Sequence, residues 1–310
     1  MIERVPFPEV VDNTILNTFR ACPRKAYLNY VEHWKPKGTN VHLHAGAAYA
    51  RGIECARRAF YEQGRSPEDS LAIGLHGLLE SYGSYEAPAE SAKSAVRMAQ
   101  ALEYTLSGDW ALGVDRAVPA KFHTGRPAVE FSFAEPLPVS HPETGNPIIF
   151  CGRSDMICQL AQGLFIEDDK TTGQMGPKWS NQWDMRAQFS GYVWAARHGA
   201  ARIEVDGVLV RGIAILKTEF KRGQYITYRP EWRIREWLDQ TVRDLERMIQ
   251  AWKTGIWDLN MGDTCDAYGG CSFLQMCQRF NREEWMGDYF ERRIWDPLHR
   301  IETKLESEDA

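Results

Sequence analysis

The chain has no long apolar run and no basic excess, and each absence narrows what it can be. No stretch approaches the roughly 18 uncharged apolar residues of a membrane span. The opening Met1-Ile2-Glu3-Arg4-Val5-Pro6 lacks a basic segment followed by an apolar run. These absences predict an intracellular, cytoplasmic protein with no membrane partner, in which the seven cysteines stay mostly reduced. Clustered cysteines then point to metal or cluster ligation rather than to disulfides. The formal net charge of −5 gives no global nucleic-acid signature, although local patches set the contact field. Internal repeats, low-complexity segments and a base-reading helix are also lacking. What is present is 44% hydrophobic and 12% aromatic residues in 310, enough for a sizeable core and against wholesale disorder.

The element order predicted from patterning is helices, three strands, helix, two strands, helix and an irregular tail. Asp12-Asn13-Thr14 can cap a helix over about 15–31, interrupted at Pro23. A short linker at 39–45 holds His42 and His44 as loop residues. The next helix spans about 46–63, with Ala47, Ala48, Ile53, Ala56 and Phe60 as its packing face. Helices follow at about 67–82 and 89–107. Strands are expected at 128–133, 147–160 and 164–169, the last two forming a hairpin around Gln162-Gly163. A helix at 181–197, strands at 205–216 and 224–228, and a helix at 230–253 with Pro230 in its first turn complete the order. By composition the chain divides into a mainly helical part (1–126), a mixed core (127–260) and a cysteine-bearing segment (261–310) that packs back on the N-terminal part.

The hairpin carries the chemistry. Its first strand ends Gly152-Arg153-Ser154-Asp155-Met156-Ile157 and its second reads Ile166-Glu167-Asp168-Asp169-Lys170. Strand side chains alternate, so Asp168 and Lys170 share one face while Glu167 and Asp169 take the other. A turn near Gln162 sets Asp155 opposite the Asp168–Asp169 step, where opposed Cβ atoms lie roughly 5 Å apart. Two such carboxylates can share a divalent ion, and Mg²⁺ accepts a few carboxylates completed by water and phosphate oxygens. Such a metal activates a water and stabilises charge on a phosphate in flight, while Lys170 orients the water or acts as a point cation. The alternative reading is a solvated acidic hairpin end whose charges Lys170 offsets.

This arrangement resembles the PD-(D/E)xK nuclease superfamily, and more closely its RecB-like branch, which includes phage exonucleases and CRISPR-adaptation nucleases. The resemblance assigns the family's first aspartate to Asp155, its acidic residue to Asp168, its variable position to Asp169 and its lysine to Lys170. It implies an α/β fold: a restriction-endonuclease-like mixed sheet core flanked by helices, here with an additional N-terminal helical lobe. The branch also carries a glutamine and a tyrosine four apart on the following helix, matched by Gln188 and Tyr192, which share one face at that spacing. They would steady the site or touch the DNA backbone. The family's earlier helix presents a histidine to the metal. The aligned position here is Ala50, so Glu54, one turn later, is the candidate third ligand. Glu130, on the strand before the hairpin, is a further acidic candidate.

Cys22, in Cys22-Pro23-Arg24-Lys25 followed by Tyr27, pairs in this reading with Cys265, Cys271 and Cys277 near the other end. One cysteine in front and three behind resembles the iron–sulfur staple of some RecB-like nucleases, which implies a [4Fe–4S] cluster on four thiolates. Both rear gaps hold five residues, wider than that family's usual spacing, and the Gly269-Gly270 pair gives the loop freedom to wrap a cluster. A tetrahedral Zn²⁺ is the alternative occupant, although short Cys-x₂₋₄-Cys pairs are absent. Cys55, Cys151 and Cys158 read as ordinary buried thiols.

The resemblance implies a Mg²⁺- or Mn²⁺-dependent deoxyribonuclease, exonucleolytic, acting in recombination, repair or phage DNA processing in the host cytoplasm, with a helicase or recombination partner. The alternatives are a non-catalytic DNA-binding or scaffold protein on the same fold and a CRISPR-adaptation spacer-processing nuclease. Basic groups at Arg20-Arg24-Lys25, Lys35-Lys37, Lys217-Lys221-Arg222 and Arg292-Arg293 would supply sequence-independent phosphate contacts. Trp179 and Trp183 are the candidates for stacking on bases of a single strand.

Overall fold

A computed structural model describes residues 5–38, 40–266 and 270–299. The expected third segment is therefore described only to His299, and Gly269 lies outside the described residues. Strand β1 (Val10–Asp12) leads into α1 (Asn13–Ala21) and α2 (Pro23–Ala26), which continues as a π-helical turn at Tyr27–Val31 before β2 (Trp34–Pro36). Three helices follow: α3 (Val41–Arg57), extended by a π turn at Arg58–Glu62, then α4 (Pro67–Tyr82) and α5 (Ala95–Thr105). Next come β3 (Val118–Pro119), β4 (Val129–Ser140), β5 (Pro147–Leu160), β6 (Gly163–Thr172), α6 (Pro177–Asn181), α7 (Ala187–His198), β7 (Gly207–Ile215) and β8 (Phe220–Tyr228). The chain continues through α8 (Glu231–Thr254), α9 (Leu274–Cys277), α10 (Arg282–Tyr289) and β9 (Phe290–Arg292). No described helix is long and apolar enough to cross a membrane.

Local chemistry sets most boundaries. Asp12 caps α1, its Oδ1 accepting from the Ile15 amide at 2.8 Å. Ser66 caps α4 with Pro67 in the first turn. Asn40 caps α3 by accepting from the amides of His42 and Leu43. The helix therefore starts several residues before 46, and His42 and His44 stand on its first turn, not in a loop. His44 bonds the Tyr82 carbonyl at 2.8 Å, a link between α3 and α4. The helix expected over 181–197 begins only at Ala187, as α7, and a separate short helix, α6, precedes it.

Contacts group the chain into two compact units. One comprises the chain up to Gly38, Ser132–Gly152 and the chain from Arg235 on; the other comprises the stretch from Thr39 to Phe131 and Arg153–Ile234. The division at 126 and 260 is one of composition, whereas these units, discontinuous in sequence, are a division by contact.

The first unit pairs β1 parallel with the start of β5, Val10 to Asp12 against Ile149 to Cys151. Its aromatic core includes Phe133, Phe150 and Trp237, with ring centroids 5.4 and 5.2 Å apart in that chain of contacts. Arg20 reaches Asp244, buried on α8, at 2.6 Å, so one member of an expected basic patch serves the interior. A satellite core of Leu28, Phe273, Met276, Met286 and Phe290 lies beside the antiparallel pair β2–β9.

The second unit holds a mixed sheet. β6 pairs antiparallel with β5 and parallel with β7, which pairs antiparallel with β8; β3 and β4 also pair with β5. The parallel β6–β7 step needs a crossover, supplied by α6 and α7. β7 is buried along its whole length, as expected of a strand covered on both faces. On one side α3, α4 and α5 close a core of Ala45, Ala48, Tyr49, Ile53, Leu78, Met98 and Leu102 with Ile213 and Ile215. Ala47, read as part of the α3 packing face, is exposed. Helices α3 and α4 approach closely at Gly52 and Gly74. A Cβ on Gly74 would stand 2.8 Å from the Gly52 carbonyl oxygen, so only a residue without a side chain fits there. A mixed α/β sheet flanked by helices, with helices α3 to α5 ahead of it, is the architecture the sequence implied.

Candidate active site

Every charged residue of the expected catalytic hairpin falls within the second unit. The β5–β6 ladder runs from Leu160↔Gly163 to Met156↔Glu167, and one step further brings Asp155 to the level of Asp168. Asp155 Oδ2 accepts from the Asp169 amide at 2.6 Å, which fixes its carboxylate against β6. Lys170 forms an ion pair with Asp168 Oδ2. The alternation read from the sequence holds: Asp168 and Lys170 act together, while Glu167 and Asp169 turn to the other face and pair with Arg57.

Burial makes this cluster electrostatically demanding. The Asp155 carboxyl is pushed up to about 7, first by burial and then by the charges of Asp169 and Asp168, against Lys170 and the Asp169 amide. Asp168 is also raised, mainly by burial, with Lys170 and Arg186 opposing. Arg186 sits at the N-cap of α7 and thus brings a second positive charge toward Asp168. The cluster is not a solvated hairpin end.

Glu54 and Glu130 are brought toward the same place. Glu130 is raised well above the usual carboxylate range by burial, then by Asp155, with Arg153 opposing and Glu54 adding. Its backbone takes φ +59° inside β4, an uncommon conformation for a side-chain-bearing residue and one that concentrates at functional sites. Arg153 Nε lies 3.0 Å from Glu130 Oε2 and its Nη1 3.7 Å from Glu54 Oε2. Glu54 also pairs with Arg51 at 3.1 Å and Arg58 at 3.2 Å. Three arginines therefore already neutralise the residue expected to replace the missing histidine at Ala50. On α7, Gln188 Nε2 donates to Tyr192 Oη at 2.8 Å, so the pair expected to share a face holds itself in position, with Tyr192 buried.

Trp179 and Trp183 do not offer stacking surfaces. Both are buried, packed edge to face with centroids 5.4 Å apart, and Trp179 covers the backbone at Gly212. Their area serves the crossover between β6 and β7, which needs a hydrophobic cover over the sheet.

Four residues of the site's support escaped the sequence reading. Arg57 joins Glu167 and Asp169, the latter at 2.7 Å, and Arg211 on β7 pairs with Asp115 and stands 3.7 Å from Glu167. Arg153 bridges Glu54 and Glu130. A signal existed for Arg57: it lies four residues after Ile53, on the apolar stripe of α3, where a charge is either misplaced or paired inside.

Among the described residues no trio of His, Cys, Asp or Glu is placed to close around a metal ion. Asp155 and Asp168 nevertheless fit a Mg²⁺ or Mn²⁺ ion. They are two carboxylates, Asp168 buried and Asp155 half-buried, in excess of their lysine, and Mg²⁺ takes one or two protein carboxylates with water and phosphate completing its shell.

In the first unit, Cys22 starts α2 and Cys277 ends α9. The Cys277 thiol is pushed up by burial and then by Cys271 and Cys22, and Cys271 and Cys277 pack against the satellite core that holds Leu28, but among the described residues these cysteines do not close into a metal-holding group. Cys265 is tied to them through its carbonyl, which accepts from the Cys271 amide at 2.6 Å. Soft thiolates suit an iron–sulfur cluster or zinc. Cys151 and Cys158 are buried free thiols, as read from their patterns, whereas Cys55, expected buried, is half-buried.

No curated protein sequence matches the chain. Among solved structures the chain is similar to the crystal structure of SSO0001, at 16% identity and a TM-score of 0.27, over 65% of this chain and 74% of that one; so low a score carries no argument. A family model described as the PD-(D/E)XK nuclease superfamily matches residues 13–278, a span that contains the hairpin, its arginine supports, the Gln188–Tyr192 pair and Cys22, Cys265, Cys271 and Cys277. With that span covering most of the 310 residues, the chain belongs to the PD-(D/E)XK nuclease superfamily.

Proposed function

We propose that this nuclease is a Mg²⁺- or Mn²⁺-dependent deoxyribonuclease that degrades DNA from its ends, in recombination, repair or phage DNA processing. The observation that supports this best is the pairing of half-buried Lys170 with buried Asp168 beside Asp155. Asp155 and Asp168 would hold the ion, which when bound would lower the pKa of a water and offset charge on the scissile phosphate. Lys170 is the group left to orient the attacking water, because the other cation of the hairpin on that face, Arg153, is engaged by Glu130 and Glu54. Protonation of Asp155 removes a ligand, so the site needs that proton displaced. The Asp169 amide and the Arg57 pairs keep Asp155 and β6 in register while charge changes. Gln188 and Tyr192, bonded to each other on α7, steady the side of the site that Arg186 approaches. Glu54 and Glu130 are the candidates for a further ligand.

Cys22, Cys265, Cys271 and Cys277 would hold a [4Fe–4S] cluster as a structural group, with zinc as the alternative; the order of one cysteine in front and three behind is what supports this reading. Digestion of linear and covalently closed circular DNA in Mg²⁺ or Mn²⁺, wild type beside Asp168→Asn, tests the catalytic reading. Loss of cutting in the variant and survival of circles by the wild type are expected. Equal cutting by both proteins would refute the assignment, and cut circles would replace exonuclease by endonuclease.

A further inference from the structure

A cavity of about 470 Å³ in the first unit is lined by Arg24, Arg282, Arg292, Tyr27, Trp34 and Trp257, with Glu32 at its wall. The sequence placed Arg24 and Arg292 in separate basic groups but predicted no cavity between them, and no cysteine lines it. The walls come from separate parts of the unit: the π turn after α2, the β2–β9 pair, α10 and the segment that follows α8. Its volume is within the range of small-ligand sites.

The chemistry of the lining is specific. Tyr27 and Trp257 stack, with centroids 5.1 Å apart and planes inclined by 26°. Arg292 lies 4.0 Å over the Trp34 ring, and β2–β9 pairing sets these two residues directly opposite. Arg24 Nε donates to the Trp257 carbonyl at 3.1 Å, and Arg292 donates to the Glu32 carbonyl. Neutral carbonyls orient both guanidinium groups without cancelling their charge, and among the described residues neither pairs with a carboxylate. The one carboxylate of the lining, Glu32, is already engaged: Oε1 accepts from Tyr27 Oη at 2.8 Å and Oε2 from Trp34 Nε1 at 3.0 Å. Next to it His33 takes φ +61°, an uncommon backbone state that bends the chain so that Glu32 and Trp34 both reach the cavity.

Oriented guanidinium groups without carboxylate partners attract a phosphate, which they can bind through forked N–H donors. Aromatic faces beside them accept a base, a combination that recurs in single-strand binding. We infer that this cavity binds one nucleotide unit, its phosphate held by Arg24 and Arg292 and its base laid on the half-buried Tyr27 or Trp34 ring, with buried Trp257 backing Tyr27. The shared chemistry admits two sources, a nucleotide within a DNA strand or a free mononucleotide. This inference draws the word DNA from the proposed function, but its test measures binding without cutting.

The probe is a single-stranded oligodeoxythymidylate carrying a 5′-phosphate and a 3′-fluorescein, titrated with full-length protein in a chelator and followed by anisotropy. Arg24→Gln/Arg292→Gln should weaken binding about tenfold and reduce the slope of log affinity against log salt by about one. Cutting of linear DNA in Mg²⁺ by Lys170→Ala is read separately from this binding assay, so failure of the cavity and failure of the catalytic reading are separable. Competition by thymidine monophosphate assigns the source: displacement of the probe indicates a free nucleotide, and no displacement indicates the strand. Unchanged affinity and salt slope in the double variant would overturn the inference. Photocrosslinking of wild type to a 5-iodouracil strand gives a second reading independent of variant folding. Adducts on Tyr27 or Trp34 are expected, and adducts only elsewhere would overturn it.

Discussion

Replacing Arg57 by Met removes the charge on which the underside of the hairpin depends. Its side chain is 6% exposed, between Glu167 at 0% and Asp169 at 5%. Deleting one partner of a buried ion pair leaves an uncompensated charge and costs about 3–5 kcal/mol. Glu167 retains Arg211 at 3.7 Å, so the larger share falls on Asp169. An exposed pair gives the contrast: Lys221 and Glu219 are more than half exposed, and such pairs contribute about 0–1 kcal/mol. Urea unfolding at pH 8 should therefore separate Arg57→Met widely from wild type and Lys221→Met hardly at all. The pH dependence has a sign. Burial raises Glu167 even with Arg57 and Arg211 opposing, and without Arg57 it rises further. A folded carboxyl raised above its unfolded value holds its proton more tightly in the fold, so stability is gained as pH falls through the raised value and lost as it rises. The Arg57→Met deficit should accordingly shrink from pH 8 to pH 5, and Asp169→Asn in the same chain should recover part of it at pH 8. A deficit below about 1 kcal/mol, or one that grows on acidification, would refute the reasoning.

Asp155, pushed up to about 7, makes metal compete with a proton. The Mg²⁺ concentration that gives half-maximal cutting should rise by up to about tenfold per pH unit below 7; a flat profile from pH 6 to 8 would count against Asp155 as a ligand. Gly74→Ala gains up to about 1 kcal/mol of helix propensity. Against that stands a Cβ 2.8 Å from the Gly52 carbonyl oxygen and from Ala56 Cβ. Overpacking against backbone costs about 1–3 kcal/mol, so the melting temperature should fall. Anaerobically purified protein should contain about four irons and four sulfides per chain, lost in Cys277→Ser; stoichiometric zinc would end the cluster proposal.

Much of the fold was legible because its signals are local. The hairpin β5–β6 showed in two apolar runs around Gln162-Gly163, and α4 in Ser66-Pro67 ahead of a helical stripe. Strand alternation alone separated Asp168 and Lys170 from Glu167 and Asp169. What stayed hidden depends on partners distant in sequence. Nothing near Glu54 announces Arg153, and nothing near Glu167 announces Arg57 or Arg211, because buried charges are matched only when strands and helices meet. Trp179 and Trp183 were misjudged for a related reason: an aromatic pair has the same composition whether it covers a sheet or faces a strand of DNA. The cavity around Trp34 and Arg292 was unreadable in principle, since its walls span from Arg24 to Arg292.

The central claim is that Lys170, beside Asp155 and Asp168, serves phosphodiester hydrolysis. End-labelled linear DNA incubated with Mg²⁺ or Mn²⁺, wild type beside Lys170→Ala of matched thermal stability, tests it most directly. Losing one preorganised charge at a transition state costs about 100- to 1,000-fold, so the variant should leave the DNA essentially uncut while the wild type degrades it. Equal degradation by the two proteins would contradict the account.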